Sequence, residues 1–400
     1  MHEAQTPSAR PNLVVNALEF GFAAYERTHA LPHYVIQAVR LILLCRTAAL
    51  GGHVEACPQG CMQRIRYNSC GHRWCPVCAY VKIARWLQRQ RQQLLACDHY
   101  HVIFTIPSAL NPLWIANVRA MTTLLFQAMR DTLLELCGDP QYGGFTPGII
   151  GVLHTWGQTL VLHPHLHCLV TGGGLTAEGH WKPVRNGYLL PVRVVMALFR
   201  GKFLALLRQG VSQGRLTLPP GWREQPVLNL LNKLGRQKWN VHIRQRCPRP
   251  EQVVEYIGRY IRGLPIGNWR LVAVTPAQVR FTYRDDRAED ASGKARQAEM
   301  TLSLDDFLQR LLWHVPAPGS QRIRRYGVYA SGKKAELQQC RAQLPAQEPA
   351  SGDAAEVVRC PVCGRPLVVR QVLPSSRTGR LPARVSIGEG LWRWPDVIPG

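Results

Sequence analysis

The chain has 400 residues, 46% of them hydrophobic, with 49 Lys+Arg against 25 Asp+Glu and a formal net charge of +24. That apolar content excludes disorder over most of the length, and the length suggests two or three domains. The positive excess points to a polyanionic partner, most often nucleic acid, and no segment approaches the ~20 apolar residues that cross a bilayer. Of the basic residues 41 are Arg and only 8 are Lys. Arg forks onto phosphates through two parallel hydrogen bonds, although GC-rich coding favours it as well.

The N-terminus lacks a basic segment followed by an apolar run, so the expected location is cytoplasmic. Residues 1–25 are read as a loose end, 26–97 as a cysteine-bearing domain, 98–335 as a larger domain and 336–400 as linker and tail. From Pro32 to Leu50 the apolar period is helical and stops at Gly51-Gly52. Over 82–97 the residues Ile83, Trp86, Leu87, Leu94 and Leu95 recur at helical spacing, and Lys82, Arg85 and Arg89 take another face. His99–Ile106 is β-branched and aromatic, a strand ended by Pro107. A long helix is expected over 112–137, ended by Gly138, then strands at 148–156 and 165–171. Helices follow at 192–209 and 250–262, with strands at 238–244, 270–275 and 278–284. The polar run 285–300 reads as a loop, 303–313 as helix, 321–330 as strand and 338–353 as a linker. That order suggests an α+β fold with helices packed on an antiparallel sheet.

Five of thirteen cysteines fall between Cys57 and Cys78. In a reducing compartment such a cluster suits a metal rather than disulfides. Cys57 and Cys61 with Cys75 and Cys78 supply four thiolates, the donor set of a structural Zn²⁺, and Cys70, His72 and His53 are nearby candidates. Cys360-Pro-Val-Cys363 is half of another such site. Seven basic residues and no acid lie between Cys57 and Cys97. Among them Arg64, Arg66, Lys82, Arg85 and Arg89 are candidate DNA contacts, although charge runs more often form a solvated face.

His163-Pro-His165-Leu-His167 is the second feature. On a strand His165 and His167 point the same way, a ready pair of metal ligands; an isolated pair of this kind is more commonly an exposed one. Pro250 to Gly263 suits a helix with Tyr256 and Tyr260 one turn apart. Single tyrosines in such a stripe are usually core residues.

The order of these pieces resembles the rolling-circle transposases of the insertion-sequence-91 family and the related common-region elements. The matching stretches are LGGHVEAC…YNSCGHRWCPVC, HYHVIFTIPSAL, HTWGQTLVLHPHLHCLVTGGGL, EYIGRYI, RIRRYGVYA and a late CPVCG, across roughly residues 40–365. His-hydrophobe-His is the signature of the HUH nuclease superfamily, and the paired tyrosines resemble its two-tyrosine branch. The resemblance implies an RRM-like nuclease core behind an N-terminal zinc-binding module, and single-stranded DNA at element ends as the partner, with no small-molecule substrate. It implies Tyr256 and Tyr260 as nucleophiles, and Mg²⁺ or Mn²⁺ on His165 and His167. Gln158 resembles the polar third ligand, with His163 as the local alternative. Arg259 and Arg262 would hold the DNA backbone. One departure stands out: the family usually separates its first Cys pair by two residues, whereas here Gly60 takes that place and Cys61 follows. Rival readings are a replication initiator or relaxase of the same superfamily, or a non-enzymatic zinc-bearing DNA-binding protein.

Overall fold

The computed structural model describes residues 12–91, 93–244, 258, 264–289, 295–346 and 357–375. Tyr256, Tyr260, Arg259 and Arg262 lie outside them. The described residues form two compact units, one from 12–82, 264–315 and 357–375, the other from 83–244, 258 and 316–346. Each is discontinuous in sequence.

In the first unit, α1 (Leu13–Thr28) begins where Asn12 accepts a hydrogen bond from Val15 N and buries Val14, Ala17, Leu18, Phe22 and Tyr25. The segment expected to be a loose end to residue 25 is therefore largely a core helix, its apolar residues spaced three and four apart. At Gly21 the chain comes so close to α8 (Leu304–Leu312) that a Cβ would sit 2.7 Å from Leu304 Cδ2 and Leu308 Cδ1. Glycine is required for that approach. Ser303 caps α8 by accepting from Asp306 N at 3.1 Å. β8 (Leu271–Val274), β9 (Gln278–Glu289) and β10 (Ala295–Ser303) form an antiparallel sheet in the order β10-β9-β8. Much of the run expected to be a loop at 285–300 thus belongs to paired strands, with Asp285 opposite Arg296. Arg296, Gln297 and Glu299 are exposed, and backbone pairing in a solvated hairpin leaves no apolar alternation to read. A second small sheet orders β12 (Val368–Leu373), β1 (Gly52–Ala56) and β2 (Gln63–Tyr67), with β1 central. Its first strand comes from the presumed tail.

The second unit is built on an antiparallel sheet ordered β11 (Ile323–Gly327), β4 (Thr146–Trp156), β5 (Leu162–Leu175), β3 (His99–Thr105), β7 (Val241–Ile243), with β6 (Trp181–Pro183) pairing β5. One face carries Phe104, Gly151, Leu166 and Cys168 toward α5 (Val118–Gly138) and α6 (Val192–Ser212). Phe104 and Phe199 rings are 4.8 Å apart, and a Cβ on Gly151 would meet Met129 Cε at 2.9 Å. The long helix expected over 112–137 is two helices, α4 (Asn111–Ala116) and α5, parted at Asn117. That side chain bonds the Leu113 and Thr217 carbonyls and accepts from Thr217 N, locking the break. α2 (His33–Leu43) in the first unit, and α3 (Pro76–Arg91), α7 (Glu224–Gly235) and α9 (Lys334–Ala342), complete the described α-helices, and Cys340 on α9 is buried within the presumed tail. The architecture is α+β with antiparallel sheets, packed helices and cysteine clusters near the N-terminus. Among the described residues no helix is long and apolar enough to cross a membrane.

Candidate functional site

β4 and β5 are neighbours in the second unit, and their register puts His154 opposite His165 and Val152 opposite His167. Side chains of paired residues share a face, so the alternation that aligns His165 with His167 brings His154 beside them. His154 Nδ1 lies 3.1 Å from His165 Nε2, and one ring nitrogen from each of the three lies within 4.8 Å of the others. His165 Nδ1 donates to the His163 carbonyl at 2.6 Å, which keeps its lone pair on Nε2, toward His154. His101, on β3, places Nε2 2.8 Å from His167 Nδ1. With His167 donating from Nδ1, its lone pair stays on Nε2, the orientation a second-layer partner commonly imposes on a metal-binding imidazole.

Burial decides the protonation of these rings. It pushes His165 down to about 4, against the opposing hydrogen bond from the His163 carbonyl. It pushes His101 down to about 3, with the Arg244 and His165 charges adding to the effect. His167 falls far below the ordinary imidazole range, through burial first and then His165, His101 and Arg244. Neutral imidazoles at His165 and His167, with the His154 ring converging on them, are a donor set that suits a divalent ion. Beside them the Trp156 ring is 3.9 Å from His154, and the Arg322 guanidinium lies 5.1 Å over Trp156.

Gln158, the expected third ligand, is exposed on the turn joining β4 to β5. Gly157 N bonds the Val161 carbonyl, and Leu160 takes a left-handed φ of 65° in that turn. His154 is the residue that converges with His165 and His167, and a bulge between His154 and Trp156 follows its pairing opposite His165. The signal lay in HTWGQT, where Gly157 marks the turn and so leaves His154 on the strand. His163 acts through its carbonyl in this arrangement.

In the first unit the cysteines sort into two groups of four, Cys45 with Cys70, Cys75 and Cys78, and Cys57 with Cys61, Cys360 and Cys363. The pairs expected to share one ion, Cys57/Cys61 and Cys75/Cys78, stand in different groups. Cys45, at the end of α2 (His33–Leu43), is the ligand candidate that spacing did not suggest. Its Sγ is 3.5 Å from that of Cys78 and 3.6 Å from that of Cys75, and Cys70 Sγ is 3.7 Å from Cys78 Sγ. Four sulfurs ~2.3 Å from a zinc ion stand about 3.8 Å apart at the corners of a tetrahedron. Cys70 N and His72 N donate to the sulfurs of Cys45 and Cys70. His72 Nδ1 accepts from Trp74 N, which makes it a turn former.

Of the candidate DNA contacts, Arg64 spends its fork on Glu55 through Nε and Nη2 at 2.9 and 2.7 Å, and Arg66 reaches the other Glu55 oxygen at 3.3 Å. Arg66 also lines a polar cleft of about 310 Å³ with Arg46, His53, Tyr67, Asn68 and Ser69. Arg89 is exposed on α3, the helix that also carries Lys82 and Arg85.

Residues 18–106 match the family profile described as "Transposase zinc-binding domain", and residues 148–336 match one described as "Putative transposase". The "Putative transposase y4qJ" of Sinorhizobium fredii is 41% identical over 318 residues, covering 78% of this chain and 79% of that protein. The "Transposase for insertion sequence element IS801" of Pseudomonas savastanoi pv. phaseolicola is 34% identical over 303 residues, 74% of this chain and 70% of its own length. No solved structure matches the chain. With two profiles covering the cysteine-bearing segment and the histidine strands, and two transposases aligned along most of their length, the chain belongs to the insertion-sequence-91/IS801-type family of rolling-circle transposases with an N-terminal zinc-binding domain.

Proposed function

We propose that this chain cuts and rejoins single-stranded DNA at the ends of a mobile element, with Tyr256 and Tyr260 as nucleophiles beside the His154–His165–His167 centre. The convergence of three imidazoles on one sheet face carries this reading. Further support comes from Gly258, the residue midway between the two tyrosines. A Cβ there would lie 2.7 Å from Leu87 Cδ1. Leu87 in turn packs against a cluster containing Ile150, Val152 and Leu169, which by strand alternation share the face of the histidines.

In the proposed reaction a tyrosine oxygen attacks the scissile phosphorus, the bond to the 3′ oxygen breaks, and a 5′-phosphotyrosine and a free 3′-OH result. The phosphodiester energy is conserved for rejoining. A phenol with an ordinary pKa near 10 is a weak nucleophile at neutral pH. His154, His165 and His167 would hold a divalent ion such as Mg²⁺ or Mn²⁺, which when bound polarises the non-bridging phosphate oxygens. The chain's own part is orientation: the His163 carbonyl and His101 fix the two rings of β5, and burial keeps those two uncharged. Two tyrosines allow one to hold the covalent strand while the other makes the second cut.

The test is a covalent-adduct gel on single-stranded DNA carrying the element ends. Tyr256→Phe and Tyr260→Phe should each reduce strand transfer, and the double variant should form no adduct. An adduct in the double variant would overturn the assignment. A wild-type chain that binds the DNA and never forms an adduct would favour a non-enzymatic binding protein.

A further inference from the structure

We propose that Cys57, Cys61, Cys360 and Cys363 hold a second structural zinc ion, which clasps the late CxxC knuckle to the N-terminal sheet. The profile-matched zinc-binding segment ends at residue 106, so half of this ligand set lies more than 250 residues outside it. The four sulfurs lie within 4.8 Å of one another, and Cys57 Sγ is 3.4 Å from Cys363 Sγ. That separation is near the ~3.8 Å edge of a tetrathiolate zinc site and far from the ~2.05 Å of a disulfide. Cys57 and Cys360 are buried while Cys61 and Cys363 are exposed, as at the rim of a small knuckle.

Each half is a turn closed by backbone hydrogen bonds and containing a left-handed glycine. Gly60 N bonds the Cys57 carbonyl at 3.0 Å, Cys57 N bonds the Met62 carbonyl at 2.9 Å, and Gly60 has φ 74°. Gly364 N bonds the Cys360 carbonyl at 2.8 Å, Cys360 N bonds the Arg365 carbonyl at 2.7 Å, and Gly364 has φ 71°. A left-handed residue in each turn curls the chain back on its cysteine pair, and glycine takes that conformation without strain. The departure from the family spacing is thereby accommodated, since the left-handed Gly60 carries the chain round to Cys61.

The strand that follows the late knuckle needs such a clasp. β12 pairs with β1, but Val369 is 56% and Val372 71% exposed. Little apolar burial holds this strand, and its partner lies about three hundred residues earlier in sequence, a long loop to close. Metal binding at a site absent from the unfolded chain contributes directly to folding. Four soft thiolates exclude Mg²⁺ and Ca²⁺ and leave zinc, or iron, as the fitting ion.

The experiment is a metal count on the full-length protein, by elemental analysis and by chelator colorimetry after thiol modification. Wild type should carry two zinc ions per chain. Cys360→Ser/Cys363→Ser should carry one, Cys57→Ser/Cys61→Ser one, and the fourfold variant still one, because all four residues serve a single site. Cobalt titration of the metal-free wild-type chain keeps the proposal testable should the variants not fold: tetrathiolate absorption should saturate at two equivalents. One zinc in wild type, two in Cys360→Ser/Cys363→Ser, none in the fourfold variant, iron in place of zinc, or cobalt saturation at one equivalent would each overturn the proposal. The count does not involve strand transfer, so it stands or falls apart from the nuclease reading.

Discussion

The three histidines arrive on two adjacent strands with His154 and His165 eleven residues apart, whereas the cysteines come from turns and the first turn of α3, and one group joins positions 306 residues apart. Backbone pairing of β4 with β5 brings the imidazoles together before any ion binds. The sheet beneath them is backed by Phe104, Phe126 and Phe199, all fully buried, so its folding rests on apolar burial. In the first unit, β2 and β12 expose most of their side chains, and metal-bound sulfur groups would hold together what burial does not. An ion is therefore expected to be a reagent at the histidines and a structural member at the cysteines.

The largest contrast is in what removing ligands does. Cys75→Ser with Cys78→Ser leaves Cys45 and Cys70 alone at their site. It should unfold the first unit, so that limited proteolysis cuts within 12–82 while 98–244 stays resistant. His165→Ala should leave that resistance unchanged and slow metal-dependent nicking on the order of 10²- to 10³-fold, the equivalent of several kcal/mol of charge stabilisation. Equal protease sensitivity in both variants would abolish the distinction, and undiminished nicking by His165→Ala would remove the metal centre from the chemistry.

A smaller effect separates His154 from Gln158. His154→Ala should weaken the dependence of nicking on added Mg²⁺ or Mn²⁺ and lower its rate at least about tenfold, in line with removing one metal ligand. Gln158→Ala, on the exposed turn, should change neither. The reverse pattern would restore the ligand that the motif alone suggested.

What sequence could reveal here follows the distance over which each feature is built. The strand carrying His165 and His167, the helices over α5 and α6 and the metal chemistry of the cysteines all rest on local pattern: alternation, a 3.6-residue period, short Cys spacings. The partition of the cysteines was hidden, because Cys45 joins from the end of a helix and Cys360 from beyond a linker, and spacing carries no information about either. His154 lay inside the expected strand 148–156, and what was hidden was its place opposite His165, because the register of a pair is not written in either strand alone. The strand β10 was hidden because Arg296, Gln297 and Glu299 are exposed and leave no apolar alternation to read. A loose end was assigned over α1 even though Val14, Leu18, Phe22 and Tyr25 hold a helical period, and there the pattern was present but unread.

The two units should also differ in how they use charge. In the first, Glu55 neutralises much of Arg64, so the basic strand β2 is less available to phosphate than its sequence suggests. Burial alone would raise the Glu55 carboxyl, yet hydrogen bonds and charge from Arg64 and Arg66 hold it below the usual carboxylate range. The stabilising pairing is accordingly present above the ordinary carboxylate pKa and is lost only as pH falls through that lowered value. Arg66 faces a cleft that also holds Arg46, and these two are expected to meet a DNA backbone there. Arg46→Ala and Arg66→Ala should each weaken single-stranded DNA binding and flatten the plot of log affinity against log salt by about 0.7 for each phosphate no longer neutralised. The nicking rate at saturating DNA should not change, because the cleft belongs to the cysteine-bearing unit and the chemistry to the other. Arg64→Ala should leave the salt slope nearly intact and lower the first unit's resistance to acid unfolding. A salt slope that responds to Arg64 and ignores Arg46 and Arg66 would mean that the Glu55 pair opens when DNA binds, and that β2 rather than the cleft meets the backbone.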